Sequence, residues 1–193
     1  MRKQQKRFTL SSSKGFTLIE LLVVIGVFAA INGMVLANYP KFTTSLNLGN
    51  VSQDIASVLR QAEGYAMGVR AFNDPVSGIV FPPYGVHFKK IEPDKFNIFA
   101  DINGNGNYDI NESAGEFILN KVKIVDLCVN YDSSPPGQCN KADINIVYKR
   151  PDPAVTIKSQ GESVSNGAVI LESVGKQSAV IFWISGQIYV KKL

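Results

Sequence analysis

Histidine is almost missing from this chain: His87, in the stretch GVHFK, is the only one among 193 residues. Neither a Cys-His nor a Ser-His-Asp constellation can therefore be read from the sequence, and a lone histidine in an alternating stretch reads as structural. Internal repetition is missing too, since nothing recurs at the period of a solenoid or propeller. Acids are absent from the first fifteen residues, MRKQQKRFTLSSSKG, which carry Arg2, Lys3, Lys6, Arg7 and Lys14. Such a flank holds its end of a membrane segment in the cytoplasm. Cysteine is scarce: Cys128 and Cys139 flank the turn-rich VNYDSSPPGQ, between the strand-like VKIVDLCV and DINIVYK. Outside the cytoplasm a disulfide closing this loop is expected, the alternative being two free thiols.

What the chain does have is one long apolar run. Residues 16–37 read FTLIELLVVIGVFAAINGMVLA, with Glu20 the only ionisable residue and Asn32 the only strongly polar uncharged one. At roughly 1.5 Å per residue this is about 33 Å of helix, enough to cross a bilayer core. A secretory signal would have an apolar core of only about 7–15 residues, followed by an A-x-A-like cleavage site. A plain anchor leaves Glu20 unexplained, because an ionised carboxylate inside hydrocarbon costs on the order of 2.5–3.5 kcal/mol. Glu20 needs a partner.

The segment Lys14-Gly15-Phe16-Thr17-Leu18-Ile19-Glu20-Leu21-Leu22 resembles the class III signal of type IV pilins and of the pseudopilins of type II secretion. The resemblance implies cleavage by a prepilin peptidase between Gly15 and Phe16, and methylation of the new amino terminus at Phe16. It divides the chain into a leader (1–15), a transmembrane and filament-core helix (16–40) and a pilin-like globular domain (41–193). Glu20, fifth in the mature chain, then gains a partner in the Phe16 amine of a neighbouring subunit, and burial of the two as a pair becomes tolerable.

The formal net charge of +4 first suggests a nucleic-acid or membrane partner. Taking the five leader cations from the 20 basic residues leaves 15 against 16 acidic ones, so the basic character is mostly a topogenic signal. Lys89-Lys90, Lys121, Lys123, Lys149-Arg150 and Lys191-Lys192 read as solvated strand ends. Aromatic platforms for single strands need interleaved basic residues, so nucleic acid is not an expected partner.

Past the run, Pro40 is expected to bend or interrupt a helix. Val51, Ile55, Val58, Leu59, Ala62, Tyr65, Ala66 and Val69 then recur at three- and four-residue spacing, which predicts an amphipathic helix over about 45–70 packed on a sheet. From Ile79 onward the pattern is β-type, with runs at 84–88, 96–100, 117–129, 144–148, 154–157, 168–171, 178–184 and 187–190 separated by turn pairs such as Asn103-Gly104 and Ser185-Gly186. The fold class is α+β: a long hydrophobic helix continuing into an amphipathic one on a mainly antiparallel sheet. The stretches LRQAEGYAMGVRA and AVIFWISGQIYVKKL resemble the GspH/FimT class of minor pilins and pseudopilins.

One loop carries a different signature. Residues 101–112, DINGNGNYDINE, fit the EF-hand template D-x-N-x-N-G-x-x-D-x-x-E. Asp101, Asn103 and Asn105 offer side-chain oxygens, Asn107 a backbone carbonyl, Asp109 a direct or water-mediated ligand and Glu112 a bidentate carboxylate, with Gly106 at the sharp turn. Calcium is the ion this set of hard oxygens suits. The flanks depart from an EF-hand, since FNIFA alternates like a strand and SAGEFIL is no helix, and the departure bears most on Glu112. The competing reading is a polar β-turn loop without metal.

The resemblance thus implies a structural subunit, not an enzyme. It would cross the bacterial inner membrane once, with its C-terminal domain outside the cytoplasm, and then enter a type IV pilus or secretion pseudopilus as a minor subunit. Expected partners are other pilin or pseudopilin subunits, prepilin peptidase, the inner-membrane assembly platform and, before assembly, membrane lipid. Two rivals stay open: a pilus-tip DNA-binding protein for DNA uptake, and an anchored calcium-binding surface domain.

Overall fold

The computed structural model describes residues 15–131, 137–151 and 155–193. Most of the leader, and the Pro135-Pro136 turn expected between the cysteines, lie outside the described residues. The chain forms two compact units, Met1–Lys41 and Phe42–Leu193.

A single helix, α1 (Leu18–Met67), begins in the first unit and ends in the second. Pro40 lies within it and does not interrupt it. Proline withdraws one donor from the ladder, and a helix continued on both sides survives that loss. In the first unit the helix is long and apolar enough to cross a membrane, and its described side chains from Leu18 to Leu36 are exposed. Asn32 turns its Nδ2 onto the Phe28 carbonyl at 2.7 Å, satisfying its amide within the helix.

In the second unit α1 buries Val51, Ile55, Val58, Leu59, Ala62 and Ala66 of the predicted stripe and Leu48 besides, while Tyr65 of the stripe is half-buried. Val69 is a correction: it follows the helix end, is exposed, and takes a positive φ of 54°. The strands are β1 (Phe72–Asp74), β2 (Gly78–Val80), β3 (Tyr84–Lys89), β4 (Lys95–Ala100), β5 (Ser113–Ile118), β6 (Lys123–Val129), β7 (Asp143–Tyr148), β8 (Val155–Ser159), β9 (Glu162–Val164), β10 (Asn166–Ser173), β11 (Lys176–Trp183) and β12 (Ile188–Lys192). They pair antiparallel in three sheets, a β1-β2 ribbon, the order β12-β11-β10-β6, and the order β5-β4-β3-β7-β8-β9. The α+β class read from the sequence is the fold observed.

The expected strand over 117–129 is two strands in different sheets, β5 and β6. The chain turns between them at Lys121, with φ 61°, while Leu119 and Val122 stay buried. No Gly or Pro marks that corner, and its apolar residues prolong the β-type pattern.

Val86 shows how the six-stranded sheet builds its core. It lies opposite Ile98 on one side and Ile146 on the other, and all three are buried. The α1 stripe and the inner faces of both large sheets form one continuous core, from Leu59 through Phe88 and Ile146 to Val169 and Phe182. A smaller cluster, Cys128, Ala168, Ile170, Ala179 and Ile181, also forms in the four-stranded sheet, with Val125, Tyr131 and Trp183 packed against it.

Candidate functional site

Gly15 and Phe16 are exposed and precede the helix. Thr17 and Glu20 close its first turn. The Glu20 N–H donates to Thr17 Oγ1 at 3.3 Å, and Glu20 Oε2 accepts the Thr17 N–H at 2.9 Å and its hydroxyl at 2.8 Å. This is a capping box, in which two helix-end donors are satisfied reciprocally. Glu20 therefore has a partner within its own chain that the sequence reading overlooked, although Thr-x-x-Glu ahead of an apolar run is its signature. Both acceptor contacts fall on Oε2.

The second candidate is the loop 101–112, which joins β4 to β5. Asp101 is fully buried; its Oδ2 accepts the Gly106 N–H at 3.1 Å, while Oδ1 has no hydrogen-bond partner. Gly106 takes a φ of 72°, the left-handed conformation its place in the template demands. Asn103 and Asn105 donate through Nδ2 to Asp109 Oδ2 at 2.8 and 3.2 Å. Their amide oxygens accept the N–H two residues on, from Asn105 at 2.9 Å and Asn107 at 2.6 Å.

Glu112 ends a single 3₁₀ turn, Ile110–Glu112, and is buried. Its carboxylate ties the two ends of the loop together. Oε1 accepts from Ile102 N at 2.9 Å and Asn103 N at 3.4 Å, and Oε2 from Asp109 N at 3.2 Å. A carboxylate has about four acceptor sites, so three backbone donors leave little room for the bidentate role expected of it. Burial pushes the Glu112 carboxyl up, beyond what the three backbone donors offset, and the Asp101 charge adds to the rise.

The loop is anchored to the six-stranded sheet through His87. That ring stacks on Tyr108 at 4.7 Å, and its Nδ1 donates to Asn145 Oδ1 at 2.7 Å, which also accepts the Tyr108 N–H at 3.2 Å. Tyr108 meets Phe99 edge-on at 5.7 Å. His87 thus joins the loop to the sheet, while Asn145 gave no sequence signal because its role depends on strand pairing.

Cys128 and Cys139 are joined by a disulfide. Gln138 beside it exchanges both backbone bonds with Val129, at 2.9 and 3.0 Å. Gly137 fits there because a Cβ would stand 2.4 Å from the Val129 carbonyl oxygen. Asp126 lies close to both sulfurs, but the disulfide removes them as metal ligands.

Residues 10–35 match the family model of the prokaryotic N-terminal methylation motif, a stretch that contains Gly15, Phe16, Thr17 and Glu20. The match supports the type IV pilin or pseudopilin class. No curated protein and no solved structure matches the chain.

Proposed function

From the methylation motif at residues 10–35 we propose that this chain is a structural subunit of a type IV pilus or of a type II secretion pseudopilus. The match carries the proposal, and two features support it: the exposed apolar helix that begins within the motif, and the α+β unit that follows. The closing β11–β12 hairpin and the stretch LRQAEGYAMGVRA favour the GspH/FimT class of minor subunits.

In this reading prepilin peptidase cuts between Gly15 and Phe16, and the Phe16 amine is methylated. The helix first anchors the chain in the inner membrane, with the globular unit outside the cytoplasm. On assembly it leaves lipid and packs on the helices of other subunits. Burial of apolar side chains alone does not set a register, because one aliphatic stripe fits another at several offsets. A charge pair between Glu20 and a neighbour's Phe16 amine does, since an unpaired charge in that core is strongly disfavoured.

The capping box gives Glu20 two separable tasks, and two variants divide them. Glu20→Gln keeps an acceptor for the Thr17 N–H but removes the charge; Thr17→Ala removes the hydroxyl but keeps the charge. Both chains are expected to be inserted and cleaved, with mass spectrometry finding Phe16 at the mature terminus. Only Glu20→Gln is expected to be lost from sheared filaments of the native host. Equal incorporation of both variants would end the pairing hypothesis, and an uncleaved chain beginning at Met1 would end the subunit reading.

A further inference from the structure

We infer that residues 101–112 form a calcium site organised around the Asp101 side chain. Asp101 sits just past β4 with no exposed surface, and the Gly106 N–H holds its Oδ2. That bond fixes the carboxylate and leaves Oδ1 buried without a donor. A buried carboxylate oxygen that no donor meets leaves its desolvation cost uncompensated. A hard cation is the partner that the neighbouring atoms suit.

Those neighbours are oxygens. The amide oxygens of Asn103 and Asn105 each spend one lone pair on a backbone N–H and keep a second. The Asn107 carbonyl and the exposed Asp109 carboxylate complete the set, directly or through water. Glu112 acts chiefly as a positioning residue, because three N–H groups leave it about one oxygen lone pair for an ion. Among the described residues the carboxylates of Asp101, Asp109 and Glu112 do not all lie within 4.8 Å of one another, so binding would draw the loop's ligands closer together.

The loop also meets a cation of its own chain, for Lys158 Nζ donates to the Asn105 carbonyl at 2.7 Å. That ammonium does not reach Asp101 Oδ1. Its charge, with only three acids in the loop, points to an affinity of extracellular type, on the order of 10⁻⁴–10⁻³ M. Amide and carbonyl oxygens in this number favour calcium over magnesium, which demands near-octahedral geometry and holds its water. Binding would pin the β4–β5 connection to the sheet that His87 and Tyr108 already grip.

The test is thermal unfolding of the full chain in detergent micelles, followed by circular dichroism with CaCl2, with MgCl2 or with a chelator. In CaCl2 at ~10 mM the wild type is expected to melt about 3–10 °C above the chelated sample, and in MgCl2 much less. Asp101→Asn and Asp109→Asn should melt normally with chelator and lose the calcium response. Because Asp109 is exposed, its variant carries the test if Asp101→Asn does not fold. No calcium-dependent rise in the wild type, an equal rise with magnesium, or a rise that survives in Asp109→Asn would each overturn the site.

Discussion

Lys90, just beyond β3 of the six-stranded sheet, donates through Nζ to Asp126 Oδ1 of β6 in the four-stranded sheet at 2.8 Å. One ion pair therefore bridges the two large sheets, and the same oxygen accepts the N–H groups of Leu127 and Asn140, both at 2.9 Å. Burial raises the Asp126 carboxyl, but Lys90 and the two backbone donors outweigh it, so the group sits below the usual carboxylate range.

A carboxylate with a depressed pKa stabilises the fold above its unfolded value, about 3.9, and loses that contribution as pH falls toward the folded one. Asp126→Asn is expected to cost about 1 kcal/mol at neutral pH, a figure discounted for the partial exposure of the pair. Urea midpoints should show the gap between wild type and variant closing as pH falls below about 4.

His87 titrates in a different window. Burial pushes its imidazole down; the Asn145 bond and the Asp143 charge pull the other way, Lys89 adds to the fall and Glu92 opposes it. A histidine held neutral in the fold gives full stability above its unfolded pKa, about 6.5, and loses it as pH falls through that value. Unfolding free energy should therefore drop between about pH 7 and 5 in the wild type. In His87→Gln, which can still donate to Asn145, the histidine's share of that slope should be lost.

The Cys128–Cys139 disulfide closes a short loop, the cysteines being 11 residues apart. By loop-closure entropy its loss costs about 3 kcal/mol, or roughly 6–12 °C in Tm. The double variant Cys128→Ser/Cys139→Ser and the reduced wild type should melt together, both below the oxidised protein.

Leu59 has no exposed surface in the shared core, whereas Leu46, on the same helix and in the same unit, is half exposed. Leu59→Ala is expected to lose about 2–5 kcal/mol in denaturant unfolding. Leu46→Ala should lose no more than about 0.5 kcal/mol.

Much of this architecture is legible in the sequence because it follows local periods. The α1 stripe from Val51 to Ala66 and the alternation of Tyr84, Val86 and Phe88 need no knowledge of distant residues. The corner at Lys121 escapes such reading, for its flanking Leu119 and Val122 are apolar on account of the core rather than of a strand. The loop at 101–112 was legible as a ligand pattern, but the orphaned Oδ1 of Asp101 appears only when folding buries that side chain. Asn145 is wholly a product of register: it meets His87 because β7 pairs with β3 there. Thr17 is local as well, for Thr-x-x-Glu ahead of an apolar run marks a capped helix start.

The capping box bears on where a peptidase can cut. Both of its members lie downstream of the Gly15–Phe16 bond, which sits outside the helix in exposed chain. A hydrolase needs its target stretched, and such a segment is presented without local unfolding. Scission there would leave the hydrogen bonds between Thr17 and Glu20 in place. The newborn terminus would start one residue ahead of a turn already wound, its amine next to a capped helix end.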